Sequence, residues 1–270
     1  MKHKGLIILS TVLVFILALT LAFVWLFRVR YVEIDVLSAS EEETLAYDEI
    51  NSIVERECKG KSYFSIDVNR LIAKLTSDPY VSVKSVEKVF PDKIKVKVAK
   101  RRERFAFLCG DEYFITDSEY HLLKKSNDLS QIGDTIIKIE LNGVEMSVES
   151  LALGSKIGYE NDNLVGAMTQ IFNGFTDGLN MISKVTVMGT QNWIRFNSKT
   201  GVCIEFRFTT ASGVGMSTPE EMQSIIETVS EVEEKYFSLT ESQQRVGNLL
   251  VLTKATGEIS IEYSSESEEV

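Results

Sequence analysis

Chemistry on this chain would have to rest on few side chains. There are two histidines, His3 and His121, and three cysteines, Cys58, Cys109 and Cys203, set far apart with no CxxC pair and no Cys/His cluster. Zinc sites draw three or four such ligands from short spacings, and a disulfide framework uses an even number. No metal or cofactor site is therefore expected. The cysteines read as small apolar core residues, although one pair could bridge outside the cell. Neither histidine has a Ser, Cys or metal-ligand companion nearby in sequence. Hydrolysis of peptide or glycan would need a nucleophile beside a base, or two carboxylates facing a cleft. The acidic pairs Asp111-Glu112 and Glu160 with Asp162 fall in expected turns of a chain with 39 Asp+Glu, so they read as solvated loop charges. Gly213-Val214-Gly215 is a connector and not a phosphate loop. The expectation is a protein without catalytic residues and without a small-molecule substrate.

What must be positioned is then a surface, and the first element to consider is the run that could hold it at a membrane. Gly5 to Phe27 is 23 residues without a charge, its only hydroxyl side chains being Ser10, Thr11 and Thr20. At about 1.5 Å per residue it spans roughly 34 Å, enough for a hydrocarbon core of about 30 Å. It is longer than a signal-peptide core and runs on into Phe23, Val24, Trp25, Leu26 and Phe27 rather than into a small-residue cleavage site. The expectation is an uncleaved transmembrane helix over residues 5–27. A cytoplasmic head over 1–4 precedes it, and the large remainder is extracytoplasmic, because long domains translocate largely regardless of charge.

Charge separates the remainder into two parts. Arg28 to Ala106 carries 16 Lys+Arg against 14 Asp+Glu, whereas Phe107 to Val270 carries 11 against 25. So acidic a second part argues against nucleic acid as partner, since phosphate binding needs clustered cations. The mildly basic first part suits a lipid bilayer with anionic headgroups.

Periodicity orders the first part. Val32, Ile34 and Val36 alternate with Glu33 and Asp35 as in a half-buried strand. An acidic loop at Glu41 to Glu43 follows, then a helical stripe of Tyr47, Ile50, Ile53 and Val54 with Asp48 as its cap and Lys59-Gly60 as its stop. Asp67 caps a second helix whose buried stripe is Val68, Leu71, Ile72 and Leu75, and Pro79 ends it. Tyr80 to Val86 alternates, Phe90-Pro91-Asp92 is a turn, and Ile94, Val96 and Val98 point inward from a strand whose Lys93, Lys95 and Lys97 point out. The basic run Lys93 to Arg104 reads mainly as a solvated strand face, with lipid headgroups or an acidic partner as the other use.

Strand, helix, helix, strand, strand directly after an anchor, with Asp78-Pro79-Tyr80-Val81, Val86, Phe90-Pro91 and Ile94 to Val98, resembles the POTRA domain of the FtsQ/DivIB family of cell-division proteins. Gly60-Lys61-Ser62-Tyr63-Phe64-Ser65-Ile66-Asp67 is similar to the loop joining the two helices in that family. The family's Glu-Arg-x-Pro-x-Ala junction is replaced by Arg101-Arg102-Glu103-Arg104-Phe105-Ala106. Tyr113 to Asp117 with His121-Leu122-Leu123 is similar to the hairpin that opens the family's second domain, and Tyr120 stands where a glycine is expected. The resemblance implies an α+β protein: a single N-terminal transmembrane helix, a POTRA (β-α-α-β-β) domain over 28–100, a β-rich second domain with flanking helices over 101–263, and a polar tail over 264–270.

Within the second domain, Phe105 to Leu108, Ile136 to Leu141, Met181 to Val187, Trp193 to Phe196 and Val202 to Phe208 read as strands. A helix carries Leu164, Ala167, Met168, Ile171, Phe172 and Phe175 behind caps at Asn161 to Asn163. Thr218-Pro219-Glu220-Glu221 opens one helix whose buried face is Met222, Ile225, Ile226, Val229 and Val232. Leu249 to Thr253 and Glu258 to Tyr263 form a terminal hairpin, which commonly leaves an edge strand able to pair with another chain.

In the FtsQ/DivIB family, such last strands receive the membrane-proximal segment of small coiled-coil membrane division proteins, FtsB/DivIC-like and FtsL-like. By alignment on the turn glycine, the resemblance implies partner contacts at Lys254, Thr256, Gly257, Ile259 and Ile261, with Pro79, Tyr80, Val81, Phe90 and Pro91 as the POTRA motif. It further implies a non-enzymatic divisome scaffold in the plasma membrane, single-pass and enriched at the septum. An extracytoplasmic sensor or envelope-maintenance receptor using a POTRA-like peptide-binding module is the alternative.

Overall fold

The computed structural model describes residues 2–37, 44–128, 132–133, 135–144, 146–147, 151–159, 162–209, 218–254 and 256–265. The chain divides into two units, Met1–Arg101 and Arg102–Val270.

The first unit opens with α1 (Lys2–Leu26), one helix of 25 residues. Its polar groups are handled within the helix, as where the Thr20 hydroxyl donates to the Ile16 carbonyl at 2.8 Å. Side chains are described from Thr11 onward, all exposed to Leu26; over that described part no helix is long and apolar enough to cross a membrane. After α1 come β1 (Tyr31–Leu37), α2 (Thr44–Cys58), α3 (Val68–Leu75), β2 (Val81–Val89) and β3 (Lys93–Lys100). The sheet order is β1-β3-β2, with β1 parallel and β2 antiparallel to β3. This is the expected β-α-α-β-β order. The central strand carries the core: Ile94, Val96 and Val98 are fully buried against Val54 and Cys58 of α2 and Leu71 and Leu75 of α3. On the other face Lys93 and Lys95 both pair with Glu33.

Caps behave unevenly. The Asp67 side chain accepts the Arg70 amide at 3.1 Å at the start of α3, as expected. Asp48 does not cap α2, because the helix begins at Thr44; Thr-Leu-Ala ahead of Tyr47 contains two strong helix formers, which carry the helix a turn further back. The acidic loop Glu41 to Glu43 lies outside the described residues. The Lys59-Gly60 stop holds, with Gly60 at φ +80°.

The second unit contains β4 (Phe105–Cys109), β5 (Glu112–Thr116), β6 (Leu122–Ser126), β7 (Ile137–Asn142), the short pair β8 (Met146–Ser147) and β9 (Gly158–Tyr159), α4 (Asp162–Gly174), α5 (Gly178–Met181), β10 (Ile182–Met188), β11 (Trp193–Ser198), β12 (Cys203–Arg207), α6 (Pro219–Glu227), α7 (Val229–Ser238), α8 (Glu241–Arg245), β13 (Asn248–Thr253) and β14 (Ile259–Ser264). Nine strands form one mixed sheet in the order β14-β13-β12-β11-β10-β7-β4-β5-β6. Three neighbouring pairs, β4 with β7, β7 with β10 and β12 with β13, are parallel. Parallel neighbours need long crossovers, and α4 and α6–α7 occur in two of them. These helices cover one sheet face, burying Leu164, Met168 and Ile171 of α4 and Ile225 and Val232 of α6 and α7 against Ile139, Val185, Phe196, Phe206 and Val251.

The expected helix from Thr218 starts as read: the Thr218 hydroxyl accepts the Glu221 amide and the Glu221 carboxylate accepts the Thr218 amide. It does not run through Val232 unbroken. The Thr228 hydroxyl donates to the Ile225 carbonyl at 2.7 Å, a local bond that competes with helix continuation, and α7 begins afresh at Val229. A second capping box at Thr240 and Gln243, absent from the sequence reading, opens α8. Tyr120 has φ +67°, so the position does demand the left-handed backbone for which a glycine is expected. The ring is buried, and its hydroxyl is hydrogen-bonded with that of Thr169.

Candidate partner-binding edge

β14 is the outermost strand of the nine-stranded sheet. It pairs antiparallel with β13 in the register Thr253↔Ile259, Val251↔Ile261 and Leu249↔Tyr263. The Lys254 amide donates to the Glu258 carbonyl at 2.8 Å, making that pair a hydrogen-bonded one. Because such pairs alternate with non-bonded pairs along an antiparallel ladder, Ile259, Ile261 and Tyr263 turn their own N–H and C=O groups away from β13. These three residues line the free edge with backbone donors and acceptors.

Their side chains do something else. Ile259, Ile261 and Tyr263 are partly buried and pack on the core that lies under the helices, and the Tyr263 hydroxyl donates to the Val246 carbonyl at 2.7 Å. The same residues thus anchor the strand by their side chains and offer its backbone outward. Gly247, at φ +101°, permits this close approach: a Cβ there would lie 2.3 Å from the Ser264 carbonyl oxygen.

Of the other residues singled out, Gly257 sits in the turn at φ +85° with open space around it, and its amide donates to the Lys254 carbonyl at 2.8 Å. Thr256 is exposed beside it. Lys254 reaches across the opposite sheet face to Glu262 at 2.9 Å. The hydrogen bond donated by Lys254 holds the Glu262 carboxyl below its ordinary value, and the same bond raises the Lys254 ammonium. Lys254, Thr256, Gly257, Ile259 and Ile261 are therefore brought together on one hairpin. Pro79, Tyr80 and Val81 lie in the other unit, where Val81 is core and the Arg101 guanidinium donates to the Pro79 carbonyl at 3.1 Å. That bond, with those of Lys93 and Lys95 to Glu33, occupies much of the basic run on structural contacts.

Three features escaped the sequence reading. His121 does have acidic companions: its Nδ1 lies 3.1 Å from Asp117 and 3.8 Å from Glu119. Asp117 Oδ1 also accepts the amides of Glu119 at 2.9 Å and His121 at 2.8 Å, so the carboxylate is closing the turn before β6. On the sheet face opposite the helices, Arg195 and Arg207 converge on buried Glu205, and the Arg195 guanidinium lies 4.7 Å over the Trp193 ring. In α7, buried Glu233 accepts the Thr176 amide at 3.0 Å. Each pairs residues brought together by the fold, and spacing along the chain gives no sign of the latter two. The three cysteines are free, with Cys58 buried and Cys109 and Cys203 partly so.

Residues 27–101 match the family model described as POTRA domain, FtsQ-type. Over 82 residues, 30% of this chain, the sequence is 29% identical to the cell division protein DivIB of Clostridium acetobutylicum, of which the match covers 32%. The chain thus spans about a third of that relative's length. The matched region coincides with the first unit beyond α1, and with the strand order that its residues build. Residues 27–101 are thus similar to the FtsQ-type POTRA domain, and the likeness to a DivIB cell division protein is carried by that stretch.

Proposed function

We propose that this protein is a non-enzymatic scaffold of cell division, held in the plasma membrane by α1, that gathers membrane-anchored coiled-coil division proteins by adding a strand to β14. The observation that carries the reading is the FtsQ-type POTRA domain placed directly after an uncharged run of 23 residues. Confinement to a membrane plane raises the effective concentration of partners held in the same plane, which makes tethering part of the function. The outward N–H and C=O groups of Ile259, Ile261 and Tyr263 suit backbone pairing, in which main-chain hydrogen bonds supply the affinity.

A fluorescent fusion in the living cell tests it. Septal enrichment, septation failure on depletion and co-purification of a small coiled-coil membrane protein are the expected results. Uniform distribution with normal septation would sink the scaffold reading and favour an extracytoplasmic peptide receptor.

A further inference from the structure

Where α1 ends, five aromatic rings gather. Phe23 lies on the last turn of α1 and Phe27 directly follows its end, and Phe64 stacks on Phe23 at 6.1 Å and meets Phe27 at 5.2 Å. Phe90 meets Phe27 at 5.3 Å, and Tyr63 lies edge-on to both Phe64 and Phe90. Only Phe27 of these is buried outright; Phe64 stays 58% exposed and Phe90 65%, on two different loops of the domain. The junction beneath them is stitched by backbone bonds, Tyr63 to the Phe27 carbonyl at 2.7 Å, Val29 to Lys61 at 2.9 Å and Gly60 to Val29 at 2.9 Å. Helix and domain are therefore continuous here, not joined by a loose linker.

Depth follows from those contacts. Phe64 reaches one turn back along α1, to the level of Phe23, and Trp25 lies between Phe23 and Phe27 on the same helical turn. Trp25 is 66% exposed with the Arg30 guanidinium 4.2 Å over its ring, an aromatic–cation pair of the sort that suits the membrane–water boundary. Any bilayer that holds α1 up to Trp25 must also meet Phe64 and Phe90. Cations lie at the same junction: the Arg28 Nε donates to the Gly60 carbonyl, Arg30 sits over Trp25, and the Lys88 ammonium is 5.9 Å from the Tyr63 ring, and such cations suit anionic headgroups.

We propose that the Phe64–Phe90 rim of the POTRA domain is a membrane-docking face that lies in the boundary between headgroups and acyl chains, so that the domain is seated on the bilayer. The inference rests on α1 being the anchor. It adds that the domain's tilt and height are set by lipid contact as well as by the tether, which fixes how far from the membrane its other surfaces stand.

The test uses the full chain in liposomes of phosphatidylcholine and phosphatidylglycerol, with bromine carried on shallow acyl carbons as quencher. In a Trp25→Phe, Trp193→Phe background, single tryptophans are introduced as Phe64→Trp, Phe90→Trp and Leu37→Trp, the last at the far end of β1. Blue-shifted emission and quenching are expected at 64 and 90, with neither at 37. A Trp193→Phe chain reports on Trp25 itself. Quenching of Trp25 without quenching at 64 and 90 would overturn the docking face while leaving the anchor intact; no quenching at Trp25 would remove both. Footprinting of the unaltered chain by water-borne hydroxyl radicals guards against misfolded variants: Phe64 and Phe90 should be protected in liposomes and Leu37 oxidised, and oxidation of all three would again overturn the proposal.

Discussion

Glu205 Oε1 accepts both the Nε and the Nη2 of Arg195, at 2.8 and 2.6 Å, with 1% of the Glu205 side chain left to solvent. The second carboxylate oxygen accepts Arg207 Nη2 at 3.1 Å. A carboxylate taken this far from water is held by its partners, and removing one side of such a group leaves the other charge stranded. Glu205→Ala should therefore destabilise the chain by about 3–5 kcal/mol, read as a fall in the urea midpoint. Replacing Glu205, Arg195 and Arg207 together by Leu, Met and Met should cost much less, because no buried charge is then left over. Equal losses in both variants would show that the network is merely packing volume.

Glu33 makes the first unit sensitive to acid. Hydrogen bonds donated by Lys93 and Lys95 hold its carboxyl down at about 2. A group depressed in the folded state binds its proton more readily when unfolded, so its contribution is present above the ordinary value of 4.5 and is lost as pH falls from there toward 2. The chain should be more resistant to urea than its Glu33→Gln variant at pH 6, and the gap should close by pH 2 to 3. Hydrogen exchange of peptides from β1 and β3 in the full chain reads this unit alone; a gap that persists at low pH would contradict the assignment.

Tyr120 sets two effects against each other. Its φ of +67° is a strain that glycine would relieve, worth about 1–2 kcal/mol, but its ring is buried among Phe105 and Phe107 at 5.6 Å, and losing a buried aromatic costs about 3–5 kcal/mol. Tyr120→Gly should then destabilise by roughly 2–3 kcal/mol despite restoring the residue expected at that turn. A stabilised variant would mean that backbone strain outweighs the packing.

Cys58 should be chemically silent. Burial pushes its thiol up to about 11, and thiolate is the reactive form. In the native chain, thiol reagents should leave Cys58 unmodified and label all three cysteines only after unfolding. Fast native labelling of Cys58, mapped by mass spectrometry, would show that the α2 core opens.

Local pattern explains what the sequence discloses of this fold. The alternation of Ile94, Val96 and Val98 names the central strand because its period is set by the backbone itself, and Thr218-Pro219-Glu220-Glu221 names a helix start because the bonds close within four residues. Even the misfit at Tyr120 is legible, since a left-handed turn announces itself by the residue that should be there. What stays hidden depends on register between distant segments. Arg195 and Glu205 are adjacent only because β11 pairs with β12 in one particular alignment, and Glu233 finds Thr176 across 57 positions. The break at Thr228 is local, yet it turns on a hydroxyl rotamer that periodicity does not see. The candidate edge is legible as a terminal hairpin that leaves an edge strand, and β14 is the outermost strand; the outward turn of its backbone follows only from the pairing phase.

That phase yields the most direct test of partner binding. Because Ile259 belongs to a non-bonded pair with Thr253, its N–H points to the free edge, and Ile259→Pro deletes an outward donor without touching a bond to β13. Proline is tolerated at edge positions whose N–H faces solvent, so the fold should survive with at most a small loss from the trimmed Ile259 packing. A partner that adds a strand would lose a backbone bond and meet the proline ring, and its affinity should fall at least tenfold, about 1.4 kcal/mol. Ser260→Pro supplies the contrast: Ser260 pairs with Leu252 in the bonded phase, so that change should cut the β13–β14 ladder and lower stability as well. Unchanged partner affinity for a well-folded Ile259→Pro chain would move the interface off this edge.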